Sequence, residues 1–298
     1  MLDWNTPKLS DKEWIEKCVK ESQYIGSDAA FANIYLLRSK YNIKVTYYKD
    51  LLIRYYEGLG NRKGYTFPLG RKDVLSALYA IEQDAKEMNR PLEFCFVTEE
   101  QKEILENTFA GRTESSSDAG DYDYIYGQPE LSLLSGRIYH KKKNHVSKFK
   151  RTYEDYMFCE IGNGNLDDVM LIEDEWYYDR LQQDDTSAMK EYEAIREAVD
   201  NFEELSLSGG IIYANNVPVA MTIASYINDA AVDIHFEKAV GEYAVNGGFA
   251  AINQMYASTL KDVKFINREE DINIPGLRKA KESYHPKFML KKYGMRVK

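Results

Sequence analysis

The stretch Val263-Lys264-Phe265-Ile266-Asn267-Arg268-Glu269-Glu270-Asp271 decides the fold of the second half of the chain, because an apolar run passes directly into polar residues. The run over 263–266 predicts a buried strand. Charge gathered at the carboxyl end of a strand is typical of a ligand site, since ligands in open α/β sheets bind there. The same pattern also fits a solvated loop before a capped helix.

A basic helix is predicted to follow over 277–283, beginning after Pro275-Gly276 and ending at Tyr284-His285-Pro286. The residue before a proline is disfavoured in the helical region, so His285 ends the helix. Its ring either bonds a backbone carbonyl as part of that helix end or carries protons in a groove near neutral pH.

The predicted order of elements nearly repeats along the chain. The second half reads β, α, α, β, β, β, α, β, α, β, and the first half reads α, α, β, β, β, α, β, α, β. No sequence repeat occurs at a fixed period, so only the order of elements recurs. Gly127-Gln128-Pro129 and Ser135-Gly136 predict a boundary, which divides the chain into domains at 1–130 and 131–298. The order therefore predicts an α/β protein with two domains of mixed sheet.

Local patterns also predict individual elements. The polar, small-residue segment 112–120 is expected to be an exposed, mobile loop, and an acidic helix is expected over 187–204. Apolar runs separated by turns at Asn215-Asn216 and Asn228-Asp229 predict strands over 210–214, 217–226 and 231–236, and a last strand is predicted over 288–296.

Composition sets limits on location and class. With 298 residues, 44% apolar and 29% charged, the chain is of ordinary globular composition. It has no run of 18 apolar residues and no signal-peptide pattern at its start, which predicts no stable membrane insertion. The cysteines Cys18, Cys95 and Cys159 have no zinc or disulfide spacing. We therefore expect a cytoplasmic protein without a metal site.

The net charge of −9 argues against generic nucleic-acid binding, but it hides an uneven distribution. From Leu131 to Tyr153 there are seven Lys and Arg residues and no acid, on a helix predicted over 137–152. From Asp167 to Glu204 there are fourteen acids and three Lys or Arg residues. The basic helix is either a solvated face offset by these acids, a binder of a phosphate- or carboxylate-bearing substrate, or a contact for transfer RNA.

Two motifs carry a family resemblance. The first is Leu134-Ser135-Gly136-Arg137-x-Tyr139-His140-Lys141-Lys142-x-Asn144-His145. The second is Asn267-Arg268-Glu269-x-Asp271-x-x-Ile274-x-Gly276-Leu277-Arg278-Lys279-Ala280-Lys281-x-Ser283-Tyr284-His285-Pro286. With the strands between them, the chain resembles the tandem acyl-CoA N-acyltransferase-like fold of Gcn5-related acetyltransferases. It is more closely similar to the bacterial family named after the C-terminal domain of phosphatidylglycerol lysyltransferase.

The resemblance implies two packed folds with a ligand groove and transfer of an aminoacyl group to a lipid head group. The resemblance implies a membrane-embedded flippase part in the full lipid-modifying enzyme, and we expect no such part in this chain, so a soluble small-molecule acceptor is expected equally. Acetyltransferases of this fold hold a pyrophosphate with a glycine-rich loop. Here Gly241, Gly247 and Gly248 are displaced, Glu242 would repel phosphate, and Asn246 is predicted to cap the next helix. A coenzyme A thioester is therefore expected to bind weakly, and the aminoacyl ester of transfer RNA stands as the other donor.

No nucleophile motif supports covalent catalysis, so direct attack on an ester or thioester is expected. The predicted catalytic residues supply proton acceptors and a proton donor: Glu237, Glu269, Tyr284 and His285. We expect Asn267, Arg268, Glu269 and Arg278 to line one pocket with Arg137. The predicted substrate-binding residues are Arg137, Lys141, Asn144, His145, Asn246, Asn267, Arg268, Asp271, Arg278 and Lys281.

The leading hypothesis is an acyl- or aminoacyltransferase that acts on a small amine or lipid head group. The alternative is a non-catalytic ligand-binding or interaction protein that retains the fold.

Overall fold

A computed structural model describes residues 2–71, 73–181 and 188–298. The chain divides into two compact units. The first contains the chain up to Tyr124 together with Glu269–Lys279 and Phe288–Lys298. The second contains Ile125–Arg268 and Ala280–Lys287. The predicted domain bounds of 1–130 and 131–298 stay a prediction, while two C-terminal segments pack with the N-terminal unit.

The first unit is built on a six-stranded mixed sheet with the strand order β1-β2-β3-β4-β13-β5. Only β3 and β4 are parallel, and the other neighbours are antiparallel. Its elements are α1 (Lys12–Ser22), α2 (Phe31–Leu36), β1 (Lys44–Tyr48), β2 (Leu51–Glu57), β3 (Lys63–Thr66), α3 (Val74–Glu87), β4 (Leu92–Val97), α4 (Glu99–Thr108), β5 (Thr113–Ser117), and, from the end of the chain, β12 (Phe288–Leu290) and β13 (Tyr293–Val297). The apolar stripe of α3, with Leu78 and Ile81, packs on the alternating inward side chains of β2, β3 and β4.

The second unit has its own mixed sheet, in which six strands run in the order β6-β11-β10-β9-β8-β7. β10 and β11 are parallel, and the remaining pairs are antiparallel. Its elements are β6 (Asp123–Gly127, entering from the first unit), α5 (Gln128–Leu133), α6 (His140–Thr152), β7 (Met157–Glu160), α7 (Leu166–Leu181), α8 (Ala188–Asp200), β8 (Ser208–Ala214), β9 (Val217–Asn228), β10 (Ala231–Ala239), α9 (Gly241–Val245), α10 (Gly248–Thr259) and β11 (Phe265–Asn267). The helix α11 (Pro275–Glu282) begins in the first unit and ends in the second.

Both units contain the same sequence of elements: three antiparallel strands, a helical connection, and a strand that returns parallel to the third. In the first unit these elements are β1, β2, β3, α3 and β4, and in the second they are β8, β9, β10, α10 and β11. The predicted class, a mixed α/β protein with two mixed sheets and a repeated order of elements, is confirmed. Within the described residues, no helix combines the length and apolar character needed to cross a membrane.

Three local predictions differ from the structure. The segment 112–120, predicted to be a mobile loop, contains β5, whose backbone pairs with β13 although its Ser-rich side chains are mostly exposed. The single strand predicted over 288–296 is divided into β12 and β13. The acidic helix predicted over 187–204 is observed as α8, which ends four residues earlier at Asp200, and Ser187 lies outside the described residues.

Candidate functional site

The candidate site of the second unit lies where β10 and β11 stop pairing. The two strands are in register only from Ala231 to Asp233 on β10 and from Phe265 to Asn267 on β11. A register irregularity between Ile234 and Phe236 interrupts the pairing of β10 with β9. Past this point β10 continues to Ala239 paired with β9 on one edge only, so side chains rather than the backbone of β11 occupy the space along its other edge.

An ion pair occupies this space. Arg268, the first residue after β11, places Nη2 2.7 Å from Oε1 of Glu237 on β10, and the two side chains keep 11% and 12% of their surface exposed. Asn253 on α10 donates its Nδ2 to the other carboxylate oxygen of Glu237 at 3.0 Å. The guanidinium also lies over the rings of Tyr284 and Tyr126, with its central carbon 4.8 and 5.8 Å from the ring centroids. Glu237 is therefore fixed by two donors from two different elements.

One donor and one acceptor beside this carboxylate make no hydrogen bond of normal geometry among the described residues, although the Arg268 guanidinium also interacts with the Tyr284 hydroxyl. The Nη1 atom of Arg268 and the Oδ1 atom of Asn253 are both buried without a hydrogen bond. Buried polar groups are nearly always paired, because leaving one unpaired costs about 1–3 kcal/mol. A free N–H and a free carbonyl oxygen on either side of Glu237 are thus complementary to a ligand that both accepts and donates.

Lys142 of α6 adds a second cation to the site. Its Nζ lies 3.8 Å from the ring centroid of Tyr284. Burial, together with the nearby Arg268 guanidinium, lowers the pKa of Lys142 to about 8. Burial raises the pKa of Tyr284. Near pH 8 the Lys142 amine can therefore accept a proton, whereas the neighbouring Tyr284 hydroxyl stays protonated.

We expect amine-directed labelling of Lys142 to titrate with a midpoint close to pH 8, because only the unprotonated amine reacts. Pulses of acetic anhydride from about pH 6 to about pH 10, a range that reaches ordinary lysine titration, would be quantified at this residue by peptide mass spectrometry. The exposed Lys141 reports reagent reactivity in the same sample. Arg268→Gln should move the midpoint upward, since the guanidinium is the second cause of the lowering. A native midpoint close to that of an ordinary lysine would contradict this account of the site.

Other predicted residues of the second unit have structural partners. Lys281 is buried, and its ammonium donates to the carbonyl oxygen of Arg268. His285 is exposed, its Nε2 lies 3.2 Å from the carbonyl oxygen of Ile138, and its ring packs edge-on against Tyr139. This contact fits the helix-end interpretation of His285, and it ties the end of α11 to the start of α6.

The predicted binding residues on and before α6 stand on an exposed face: Arg137, Lys141, Asn144 and His145. Among the described residues, no ion pair connects the basic side chains of this helix to the acidic helices α7 and α8. Within α6, the Asn144 amide lies 3.5 Å from the His140 ring. The acidic helices therefore do not neutralise α6 by direct contact.

The residue that caps α10 is not the one predicted. Asn246 does not begin α10, since it follows α9 and donates to the hydroxyl of Tyr153 at 2.8 Å, while Gly247 occupies the N-cap position. Gly247 has φ +104°, and a Cβ there would lie 2.4 Å from the carbonyl oxygen of His145. The glycine allows α6 to approach the start of α10. Weak binding of coenzyme A stays a prediction.

Three other predicted residues belong to the first unit: Glu269, Asp271 and Arg278. Arg278 binds both carboxylate oxygens of Asp271 at 2.8 and 2.9 Å, and Tyr124 donates to the same group at 2.6 Å. Burial opposes ionisation of Asp271, but these donors outweigh it and lower the pKa of the carboxyl. This saturated carboxylate holds the turn before α11. The common pocket with Arg137 stays a prediction.

Sequence reasoning missed Asn253 and assigned no role to Lys142. Asn253 lies in a helix whose neighbours Ala250, Ala251 and Ile252 are buried. A polar residue on an apolar helix face is a signal that could have been used. Lys142 is one of three consecutive lysines, and nothing local shows which of them turns inward.

Comparisons with known proteins agree with this architecture. The family model described as "Phosphatidylglycerol lysyltransferase, C-terminal" matches residues 20–296. A conserved protein of unknown function from Bacteroides thetaiotaomicron VPI-5482 is 30% identical, with a TM-score of 0.94 and full coverage of both chains. A search of the curated proteins found no match.

Two further solved structures share the fold at lower identity. L-PGS from Bacillus licheniformis is 15% identical with a TM-score of 0.67, covering 96% of this chain and 92% of its own. FemX is 8% identical with a TM-score of 0.62, covering 100% and 98%. The family resemblance predicted from the two motifs is confirmed, and the fold is that of aminoacyl- and acyltransferase-like proteins.

Proposed function

We propose, from the premise that the chain belongs to the family of the phosphatidylglycerol lysyltransferase C-terminal domain, that it transfers an aminoacyl group directly from an ester to a small amine or a lipid head group. The observation that supports this function best is the free donor of Arg268 and the free acceptor of Asn253 on either side of Glu237. An acyl-transfer site must stabilise the negative charge that develops on the carbonyl oxygen, and a buried guanidinium N–H suits that task.

The free acceptor favours an aminoacyl group over a simple acyl group. An aminoacyl ester has an amino N–H beside its carbonyl, so it can donate to Oδ1 of Asn253 while its carbonyl oxygen accepts from Nη1 of Arg268. An acetyl group has no such donor and would leave Oδ1 buried and unpaired. A site built to pair with a polar group discriminates strongly against an analogue that lacks the group. We therefore infer that the donor is an aminoacyl ester, as on transfer RNA, rather than a coenzyme A thioester.

The reaction is a direct displacement at the carbonyl carbon. The amine or hydroxyl of the acceptor forms a bond to that carbon, and the bond from the carbon to the ester oxygen of the donor breaks. The proton of the attacking group passes to a base, for which neutral Lys142 and the Glu237 carboxylate are the candidates in this site. The leaving oxygen takes up a proton, and Tyr284, whose raised pKa keeps its hydroxyl protonated, suits that donation.

Replacing Arg268 by glutamine tests this function. The native protein would be incubated with transfer RNA charged with radiolabelled amino acids and with two acceptors, phosphatidylglycerol vesicles and a soluble amine. Loss of a carbonyl-binding donor should lower the transfer rate about 100-fold. The matched control is Arg296→Gln, because Arg296 is exposed on β13 and its ion pair with Glu93 is loose at 3.9 Å. Thermal melting confirms that both variants are folded.

Asn253→Leu gives a second readout. This change should reduce transfer of aminoacyl groups more than any transfer from acetyl-coenzyme A, since both reactions lose the hydrogen bond from Nδ2 to Glu237 but only the amino group needs Oδ1. The proposal is wrong if the native protein transfers acetyl groups faster than aminoacyl groups. It is equally wrong if Arg268→Gln retains the native rate.

A further inference from the structure

The first unit has a pocket of its own, which is open to solvent. Aromatic and aliphatic side chains form one side of it: Leu37, Tyr41, Ile43, Tyr56 and Phe96. Tyr56 lies on β2 and Phe96 on β4, so the sheet holds the aromatic wall in place. The ring centroids of these two residues are 5.1 Å apart in an edge-to-face contact.

A buried ion cluster forms the floor of the pocket. Lys292 lies 2.7 Å from Asp123 and 3.2 Å from Asp28, and Nη2 of Arg54 lies 3.0 Å from Oδ2 of Asp28. The side chain of Asp28 is 5% exposed and lines the pocket, and its Oδ2 accepts no hydrogen bond among the described residues despite this ion pair. A buried carboxylate oxygen with unused acceptor capacity favours a donor on a ligand.

Further carboxylates stand on the wall of the pocket. Arg62 lies 2.8 Å from Glu270 and 3.0 Å from Asp121, and the amide of Asn33 donates to Glu269 at 2.9 Å. Among the described residues that line the pocket, three carboxylates face two cations, which leaves a net charge of 2 − 3 = −1. The carboxylates are Asp28, Glu269 and Glu270, and the cations are Arg62 and Lys292.

The aromatic wall already stabilises cations of the protein. Nζ of Lys292 lies 5.4 Å from the ring centroid of Phe96, and Nζ of the exposed Lys40 lies 5.0 Å from that of Tyr41. Aromatic faces attract ammonium groups, more so where water is excluded. Excess carboxylate charge and aromatic walls thus act in the same direction.

We propose that this pocket binds an organic ammonium ion, a protonated amine on a short apolar chain. The ammonium group donates hydrogen bonds to the carboxylates of the wall and floor, and the chain packs on Leu37, Ile43 and the aromatic rings. An anion of the same size would meet a net negative charge in a partly desolvated site and is excluded. The assignment stands apart from the proposed transfer reaction, since every residue that carries it belongs to the first unit.

Three probes of equal length but different charge test the assignment by isothermal titration calorimetry: 1-pentylamine, 1-pentanol and pentanoate. We expect the amine to bind at least about tenfold more tightly than the alcohol, and pentanoate not to bind. Glu269→Gln should weaken binding of 1-pentylamine about tenfold, because one charge-assisted hydrogen bond is lost. Glu282→Gln, which removes an exposed carboxylate on α11, is the matched control and should leave the affinity unchanged.

Tyr41→Leu is a second variant, which keeps the wall apolar but removes the aromatic face. This variant should bind 1-pentylamine more weakly and bind 1-pentanol with unchanged affinity. Thermal melting of each variant separates loss of the site from loss of folding. Equal affinity for the amine and the alcohol, or unchanged amine affinity in both Glu269→Gln and Tyr41→Leu, would overturn the proposal.

Discussion

Replacing Lys292 by methionine is expected to destabilise the protein by about 3–5 kcal/mol, because it removes one ion from a buried cluster and leaves its partners uncompensated. Lys292 is 3% exposed and contacts Asp123, Asp28 and the hydroxyl of Ser27. Burial alone would lower the pKa of this ammonium, but the two carboxylates outweigh burial and raise it well above its usual value. The ion is therefore charged in the folded state, and methionine fills its volume without replacing its charge.

Urea unfolding measures this effect, and the neighbouring residue supplies the control. Lys291 is exposed, so Lys291→Met should change the free energy of unfolding by less than about 0.5 kcal/mol. A loss of stability of similar size in both variants would mean that the effect of Lys292→Met comes from the local backbone. If Lys292→Met lowers the free energy of unfolding by less than about 1 kcal/mol, the buried ion cluster does not stabilise the protein as described, since breaking a buried pair costs several times that amount.

Replacing Gly247 by alanine is expected to destabilise the protein by about 3 kcal/mol, through backbone strain and overpacking together. Its φ of +104° is disfavoured for any residue with a Cβ, and the added Cβ would lie 2.4 Å from the carbonyl oxygen of His145. That oxygen belongs to the backbone of α6 and cannot rotate away. The helix must move, and Lys142, one turn earlier on α6, moves with it.

The control for this variant is Gly162→Ala, because a Cβ at Gly162 meets nothing within 4 Å. Chemical denaturation should show little change for Gly162→Ala and the large loss for Gly247→Ala. Labelling of Lys142 supplies a second readout, since a displaced α6 should shift its titration midpoint from about 8 towards that of an ordinary lysine. If Gly247→Ala has the native stability and the native labelling midpoint of Lys142, the packing of α6 on α10 does not require a glycine at this position.

Local sequence patterns were sufficient to predict most of the helices and strands. The strands β8, β9 and β10 were predicted from apolar runs separated by Asn215-Asn216 and Asn228-Asp229, and they are observed with longer ends. β5 was missed because its sequence Thr-Glu-Ser-Ser-Ser has no apolar alternation. It is a strand only because β13, almost 180 residues later, supplies its hydrogen-bond partners, and no local pattern contains that information.

The site was predicted in part. Charge at the end of β11 identified Arg268, and strand position identified Glu237, which are an ion pair in the structure. The pattern could not show that the chain passes from one unit to the other between Arg268 and Glu269. Neighbours in sequence were therefore expected to share a pocket, whereas tertiary packing assigns Arg268 to the second unit and Glu269 to the first. The pairing of Asp271 with Arg278 is likewise visible only once α11 is in place.

The position of β13 between β4 and β5 has a consequence for how the chain is made. About 200 residues separate the end of β4 from β13, which at roughly 5–20 residues per second corresponds to about 10–40 s of translation. Throughout that interval the nascent polypeptide has made the apolar strand β4 but not the partner that covers its edge. Because unpaired strand edges recruit other chains, we expect the ribosome-bound intermediate to be the aggregation-prone form of this protein. Its yield in a cell should depend on holdase chaperones and on elongation speed more than the stability of the finished molecule would suggest.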